Sequence, residues 1–410
     1  MTGVGAVVCG AGIAGVSAGY FLSVEHGIDN VVIVDPRPPL TLTSDKSTEC
    51  YRNWWPEPSM VAFMNRSIDL LEAFAEDSGD AFHLNRHGYL YFHGTDHADP
   101  DGADAVSKAQ LADDYPYVSG EANSAVWVRR AGWFSAQQLG VWMLDRARER
   151  GARLVRGLVT GVDRRGGRGV GVELNDGTAI STPIFVNAAG PMLREVGVMA
   201  GADLPVVNEL HLKVAFRDTL GAVPRDAPML IWADPQRLDL TEEERALCVT
   251  DGREDLLGEL PAGCHCRPEG GSDSEWVLGL WEYHRQVMEP VWPLPVDPMY
   301  AQTVLRGLTT MIPALAGYED QPPESVVDGG YYTKATDNLP MIGPSGAEGA
   351  FVCGGLSGYG VMAACAAGEL AALHVTGAPL PTYAGAFDPA RYDDPAYAVE
   401  AAAATDTGQI

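Results

Sequence analysis

Residues 4–15 read Val4-Gly5-Ala6-Val7-Val8-Cys9-Gly10-Ala11-Gly12-Ile13-Ala14-Gly15. An apolar run turns directly into G-x-G-x-x-G and then into a helix-like segment over 16–24. The pattern predicts a parallel strand ending at Cys9 and a helix starting at Ile13. Glycines at 10, 12 and 15 let the backbone turn tightly and approach a pyrophosphate, and the helix N-terminus supplies free N–H groups and partial positive charge. The next apolar run, Asn30-Val31-Val32-Ile33-Val34, ends at Asp35. That is about twenty residues past Gly15, where an acidic side chain hydrogen-bonds a ribose. The glycines alone are a weak signal. Strand, glycines, helix, strand and acid in this order specify a dinucleotide site.

The chain has 410 residues, too many for one simple core, so two domains are expected. A hydrophobic content of 46% is that of a globular protein. The apolar runs read as shorter than a membrane span, and the nucleotide strand starts almost at Met1, leaving no room for a signal peptide. The expected location is therefore cytoplasmic. A net charge of −27 argues against nucleic acid as a partner, because its phosphates would be repelled. An odd number of cysteines, seven, suggests thiols rather than a disulfide framework. Cys264-His265-Cys266 has no second ligand pair at zinc-finger spacing and lies between Gly263 and Gly270-Gly271. It reads as a loop without a metal.

Downstream of residue 50 the pattern changes. Residues 58–78 have helical periodicity, 87–93 look like a strand, and 135–150 read as a helix with Ser135 as N-cap and Gly151 as its stop. Short strands follow over 153–156, 158–163, 170–174 and 184–188, with Asn175-Asp176-Gly177 as a hairpin turn. Strand-like runs recur at 210–216, 229–232 and 276–283. The acidic, Pro/Gly-rich stretch 234–273 reads as surface loops with a short helix from Thr241. Residues 349–360 repeat the theme of strand, glycines and helix. No internal repeat is visible. The expected architecture is α/β with two domains. A Rossmann-like nucleotide domain (1–50, 135–200 and 325–385) interleaves with an antiparallel-sheet substrate domain (51–134 and 201–324), whose sheet forms a wall over the cofactor. A tail (386–410) follows.

One nucleotide motif with no second copy downstream favours FAD over a nicotinamide-linked reductase. Residues 1–380 resemble the D-amino-acid oxidase/sarcosine oxidase superfamily of FAD-dependent amine oxidoreductases. The resemblance rests on Gly10, Gly12 and Gly15 with Asp35, on Asp45-Lys46-Ser47-Thr48-Glu49-Cys50-Tyr51-Arg52, on Asn187-Ala188-Ala189-Gly190, on residues 330–343, and on Gly354 to Gly360. It implies that Gly10, Gly12, Ala14 and Gly15 hold the pyrophosphate and Asp35 the adenosine ribose. Ser47 and Thr48 would lie beneath the flavin, Val159 would bond the adenine end, and Ala189 and Gly190 would pass beside the nucleotide. Gly355, Ser357, Gly358, Tyr359, Gly360, Val361 and Met362 would lie by the flavin ring, with the helix from Val361 directing its positive end at it. Gly330 stands where some relatives carry a linking cysteine, and the linking histidine of dimethylglycine dehydrogenase-like enzymes is missing near Lys46. The expectation is FAD held without a covalent bond.

The resemblance further implies oxidation of the C–N bond of an amine or amino acid to an imine, with oxygen or another electron acceptor reoxidising the flavin. Arg52 is similar in position to a carboxylate-binding arginine, Tyr332 to a pocket tyrosine and His284 to a pocket histidine. His211 and Lys213, two apart on one strand, face the same side, either flavin or solvent. Lys334 reads as the partner of an acid. Two family lysines are replaced, one by Met362 and one by Leu280. The first replacement points to a larger or less polar amine than N-methylglycine. The second points away from oxygen. An FAD monooxygenase and a flavin-binding subunit with no substrate of its own are the competing readings. A homo-oligomer is compatible with the sequence.

Overall fold

The computed structural model describes residues 3–96, 102–164 and 170–403. Its first sheet has six strands in the order Met341–Pro344, Ala350–Gly354, Phe185–Asn187, Ala6–Cys9, Val31–Asp35 and Arg153–Arg156. All run parallel except Met341–Pro344, which returns antiparallel beside Ala350–Gly354. Strand Ala6–Cys9 lies at the centre and is buried throughout. A parallel strand covered on both faces needs apolar side chains at every position, and the Ala-Val-Val-Cys run supplies them.

Helices Ile13–Tyr20, Pro58–Ser78, Ala136–Glu149 and Gly360–Thr376 bury their apolar residues together in one core with this sheet. Pro58 stands at the first turn of its helix, where its missing N–H costs nothing, and Gly79 ends the helix at φ 66°. Ser135 caps the next, accepting from the Gln138 N–H. On the other side lies a core shared with the three-stranded sheet Val159–Arg164, Val170–Leu174 and Ala179–Thr182.

The segment Ser357–Thr376 corrects the expectation about membrane spans. It is long and apolar enough to cross a membrane by length and composition, and 67% of that window is buried inside the fold. Helices Ile13–Tyr20 and Pro58–Ser78 pack against it, which is why it is apolar all round.

The second large sheet orders Ser325–Ala335, Val206–Arg217, Trp276–Leu280, Cys264–Pro268, Met229–Trp232, Tyr89–His93, Ser124–Val128 and Asp104–Ser107, with Gln286–Val287 also paired to Val206–Arg217. Side chains alternate across it. Leu90, Leu210, Leu212, Val214, Leu230, Cys264, Cys266 and Val277 enter one core beneath helix Tyr300–Thr309. Their neighbours Tyr89, His211, Met229, His265 and Leu280 take the opposite face.

Three expectations change here. Residues 264–268 are a buried inner strand and not a loop. The two cysteines and the histidine between them point to opposite faces, so they cannot converge on one ion. Ser325–Ala335 pairs with Val206–Arg217 along eleven residues, so it belongs to the large sheet and not to the nucleotide sheet. Helix Pro58–Ser78 shares the nucleotide-side core although the sequence assigned it to the substrate side. Within the acidic stretch, the helix expected from Thr241 forms as Glu242–Thr250, closed by a reciprocal Thr241–Glu244 capping box.

Candidate active site

A cleft runs along the C-terminal ends of the parallel strands. One end, of about 430 Å³, is lined by Gly10, Gly12, Asp35, Arg37, Ala189 and Gly190 among others. The cleft continues as a space of about 640 Å³ past Ala14, Ser47, Tyr332, Gly355, Ser357, Gly358, Gly360 and Val361. The glycines are there for contact. A Cβ on Gly10 would stand 2.2 Å from the Ala188 carbonyl oxygen, and one on Gly15 would stand 2.0 Å from that of Gly10. Gly190, at φ 55°, presents bare backbone with nothing within 4 Å of a Cβ position. Asp35 accepts the Ala11 N–H on one carboxylate oxygen and the Arg37 N–H on the other, both at 2.8 Å. A carboxylate has about four lone-pair sites, so ribose hydroxyls can still be accepted. Bare backbone, a helix N-terminus and an acid at this end fit a dinucleotide.

Gly15 and Val159 do not line the cleft. Gly15 serves the close approach of helix and strand, and Val159 opens a strand whose backbone pairs with Leu174. Thr48, Tyr359 and Met362 turn instead into a neighbouring cavity of about 510 Å³. Ser47, Gly358 and Tyr332 line both spaces, so this cavity opens beside the deep part of the cleft.

Arg52 and Tyr332 meet in that cavity. Arg52 is buried, lies 4.0 Å above the Trp55 ring, and donates to the Trp54 carbonyl. Tyr89, Met229, His265, Leu280, Glu282 and Met362 complete much of the wall. His284 is not part of it. The strand ends at Leu280 and the chain bends at 283–284, which turns His284 outward to a separate cavity. The pocket histidine is His265. Its Nδ1 lies 2.7 Å from the Gly263 carbonyl, and burial pushes its pKa down, so the ring is neutral and Nδ1–H donates to that carbonyl. Reading residues 264–268 as a loop hid it, because the place of this strand is set by its pairing with residues 229–232 and 276–280.

The segment 45–49 beneath the cleft is held from the large sheet. Lys213 donates to the Ser47 carbonyl at 2.7 Å. Arg267, fully buried, donates through Nε at 2.9 Å and Nη2 at 2.7 Å to the Thr48 carbonyl. Burial lowers the Lys213 pKa. Lys334 pairs with Glu209 at 2.5 Å, as its sequence context suggested. His211 is buried rather than solvent-exposed. It lies between Glu209 and Glu282, stacked on Tyr332 with ring centroids 3.8 Å apart.

Residues 6–373 match the family model described as "DAO: FAD dependent oxidoreductase". The chain belongs to this family. It is an FAD-dependent oxidoreductase of the D-amino-acid oxidase/sarcosine oxidase-like superfamily. Among solved structures, it is similar to L-proline dehydrogenase from P. horikoshii (22% identity, 95% of this chain and 98% of that one, TM-score 0.75). It is also similar to glycine oxidase from Geobacillus kaustophilus (16%, 93% and 97%, TM-score 0.73) and to iminodiacetate oxidase from Chelativorans sp. BNC1 (18%, 94% and 98%, TM-score 0.70). These likenesses establish the two-domain fold. No curated protein sequence matches the chain. In this FAD-dependent oxidoreductase, Gly10, Gly12 and Gly190 with Asp35 line one end of the cleft, and Ala14 lines its continuation together with Gly355, Ser357, Gly358, Gly360 and Val361.

Proposed function

We propose that this FAD-dependent oxidoreductase oxidises the C–N bond of an amino acid, binding the substrate in the cavity beside residues 355–362. The carrying observation is Arg52, a buried guanidinium in the wall of a cavity that shares Tyr332, Ser47 and Gly358 with the cleft. Arginine is charged at every working pH, and its planar fork suits a carboxylate. Trp55, Tyr89, Met229, Leu280 and Met362 give the wall an apolar and aromatic character that favours a substrate larger than glycine. FAD, when bound along the cleft, supplies the hydride acceptor. Arg52 fixes the carboxylate end, and Tyr332 stands where the cavity meets the cleft. Leu280 and Met362 leave this part of the wall without a cation. The cavity also weighs against a flavin-binding subunit without its own substrate.

The test is anaerobic titration of the flavin-loaded protein with amino acids, their decarboxylated amines and N-methyl derivatives, followed by absorbance. Bleaching by amino acids and not by the matching amines supports the reading; bleaching by NADPH alone would replace it with a monooxygenase. Admitting air then separates oxidase from dehydrogenase by the speed of reoxidation. We also propose that the flavin is held without a covalent bond, so acid precipitation is expected to leave all yellow colour in the supernatant.

A further inference from the structure

Glu282 occupies an unusual place. It lines the substrate cavity and also the separate cavity of about 450 Å³ that holds His211, His284, Gln286 and Asp297. Among the described residues it is the one residue common to the two linings. His284 and Gln286, at the second cavity, are exposed. Within the substrate cavity the charged side chains are Arg52 and Glu282, of opposite sign. An amino acid is a zwitterion at neutral pH, and its ammonium must lose a proton before its lone pair can form the C=N bond.

We propose that Glu282 accepts this proton from the substrate ammonium and releases it to solvent through the second cavity, with His211 as its positioning residue. The inference rests on the amino-acid reading above. The ammonium N–H bond breaks and a Glu282 O–H bond forms. The freed lone pair then forms C=N as the C–H bond breaks, and FAD, when bound along the cleft, would supply the acceptor for the two electrons the substrate gives up.

His211 shapes this acid without carrying the proton. Its Nδ1 lies 3.0 Å from Glu282 Oε1 and its Nε2 3.2 Å from Glu209 Oε2. Carboxylates at both nitrogens call for a hydrogen on each, which leaves no lone pair to receive another. Burial opposes the charge on His211, yet the hydrogen bonds it donates to the two carboxylates push its pKa up. Burial likewise opposes ionisation of Glu282, and His211 overcomes it, holding the carboxyl below the usual range. The other groups facing this cluster are Lys334 bonded to Glu209, Arg285 at 3.7 Å from Glu282 Oε2, the stacked Tyr332, neutral His265 and, across the cavity, Arg52. Glu282 thus stays ionised and ready to accept, and the low proton affinity speeds release.

The experiment compares flavin bleaching rates from pH 6 to 10 for the wild type, Glu282→Gln, His211→Asn and His265→Gln, each checked for flavin content. Binding of a carboxylic acid lacking the amine is measured beside it by flavin spectral shift. The wild-type rate is expected to be nearly flat. Glu282→Gln is expected to lose about 100-fold at neutral pH, and to recover about tenfold per pH unit as the free amine becomes available in solution. Its affinity for the amine-free acid is expected not to fall. His211→Asn is expected to move the acid limb of the profile upward. A Glu282→Gln profile parallel to that of the wild type, or high-pH recovery in His265→Gln instead, would overturn the assignment. Failure of every amino acid to bleach the wild type would count against the amino-acid reading itself.

Discussion

Arg52 lies flat against Trp55, and its neighbours in the cavity wall are mostly apolar. Lysine in its place keeps the charge but loses the fork and the stacking. Arg52→Lys is expected to raise KM for amino acids by 10- to 100-fold, equivalent to about 1.5–3 kcal/mol for a hydrogen bond to a charged group. Flavin content is expected to be unchanged, and an unchanged KM would remove Arg52 from carboxylate binding. His211 makes a second prediction, on stability. Its pKa is raised above the ordinary 6.5, so its contribution is full below that value and is lost as pH rises through the folded-state pKa. Glu209 is lowered from 4.5 to about 2; burial opposes this, and His211 and Lys334 outweigh it. Its contribution is full above 4.5 and is lost as pH falls through that lower value. The cluster therefore stabilises most between pH 4.5 and 6.5. Urea unfolding is expected to show the gap between the wild type and His211→Asn narrowing from pH 6 to pH 9.

At the scale of the element, strand Cys264–Pro268 does two opposite things. Cys264 and Cys266 fill the core, while His265 enters the cavity and Arg267 reaches the Thr48 carbonyl. Arg267→Ala would leave that carbonyl and the nearby Glu49 and Glu269 without their cation. The expected loss is about 3–5 kcal/mol, the range for breaking a buried ion pair, read from urea midpoints. A weaker flavin affinity is expected with it, because Thr48 belongs to the segment beneath the cleft. This strand also marks the limit of what local sequence discloses. The nucleotide strand, the helix Pro58–Ser78 and the helix capped by Ser135 were all readable, since apolar period, caps and glycines act within a few residues. The five residues Cys264–Pro268, of mixed polarity, carry no such period. Their place is set by partners at 229–232 and 276–280, and that pairing is a tertiary fact. His284 failed for the same kind of reason. Residues 280, 282 and 284 share one face only while the strand continues, and it ends at Leu280. Arg52 and Tyr332 were named through the family resemblance carried by residues 45–52 and 330–343, and both line the cavity.

The whole molecule carries a net charge of −27. Charge of one sign destabilises a compact state through self-repulsion, and salt screens it over about 10 Å at 0.1 M. The melting temperature is expected to rise between 0.02 and 0.5 M sodium chloride, with ionic strength on the order of the Debye crossover in between. A flat or falling curve would show that ion pairs such as Arg391–Asp337, at 2.7 Å and nearly buried, outweigh the repulsion. The order of the six-stranded sheet has a further consequence for how the protein is made. Strand Ala6–Cys9 emerges first, but its neighbour Phe185–Asn187 comes far later, and that strand in turn waits for Ala350–Gly354. Helix Gly360–Thr376, which seals the apolar side, is later still. A growing chain therefore holds an open sheet edge and an uncovered hydrophobic face for most of its synthesis. Chains stalled before residue 350 should need chaperone cover, and release of the full length should remove that need in one late step.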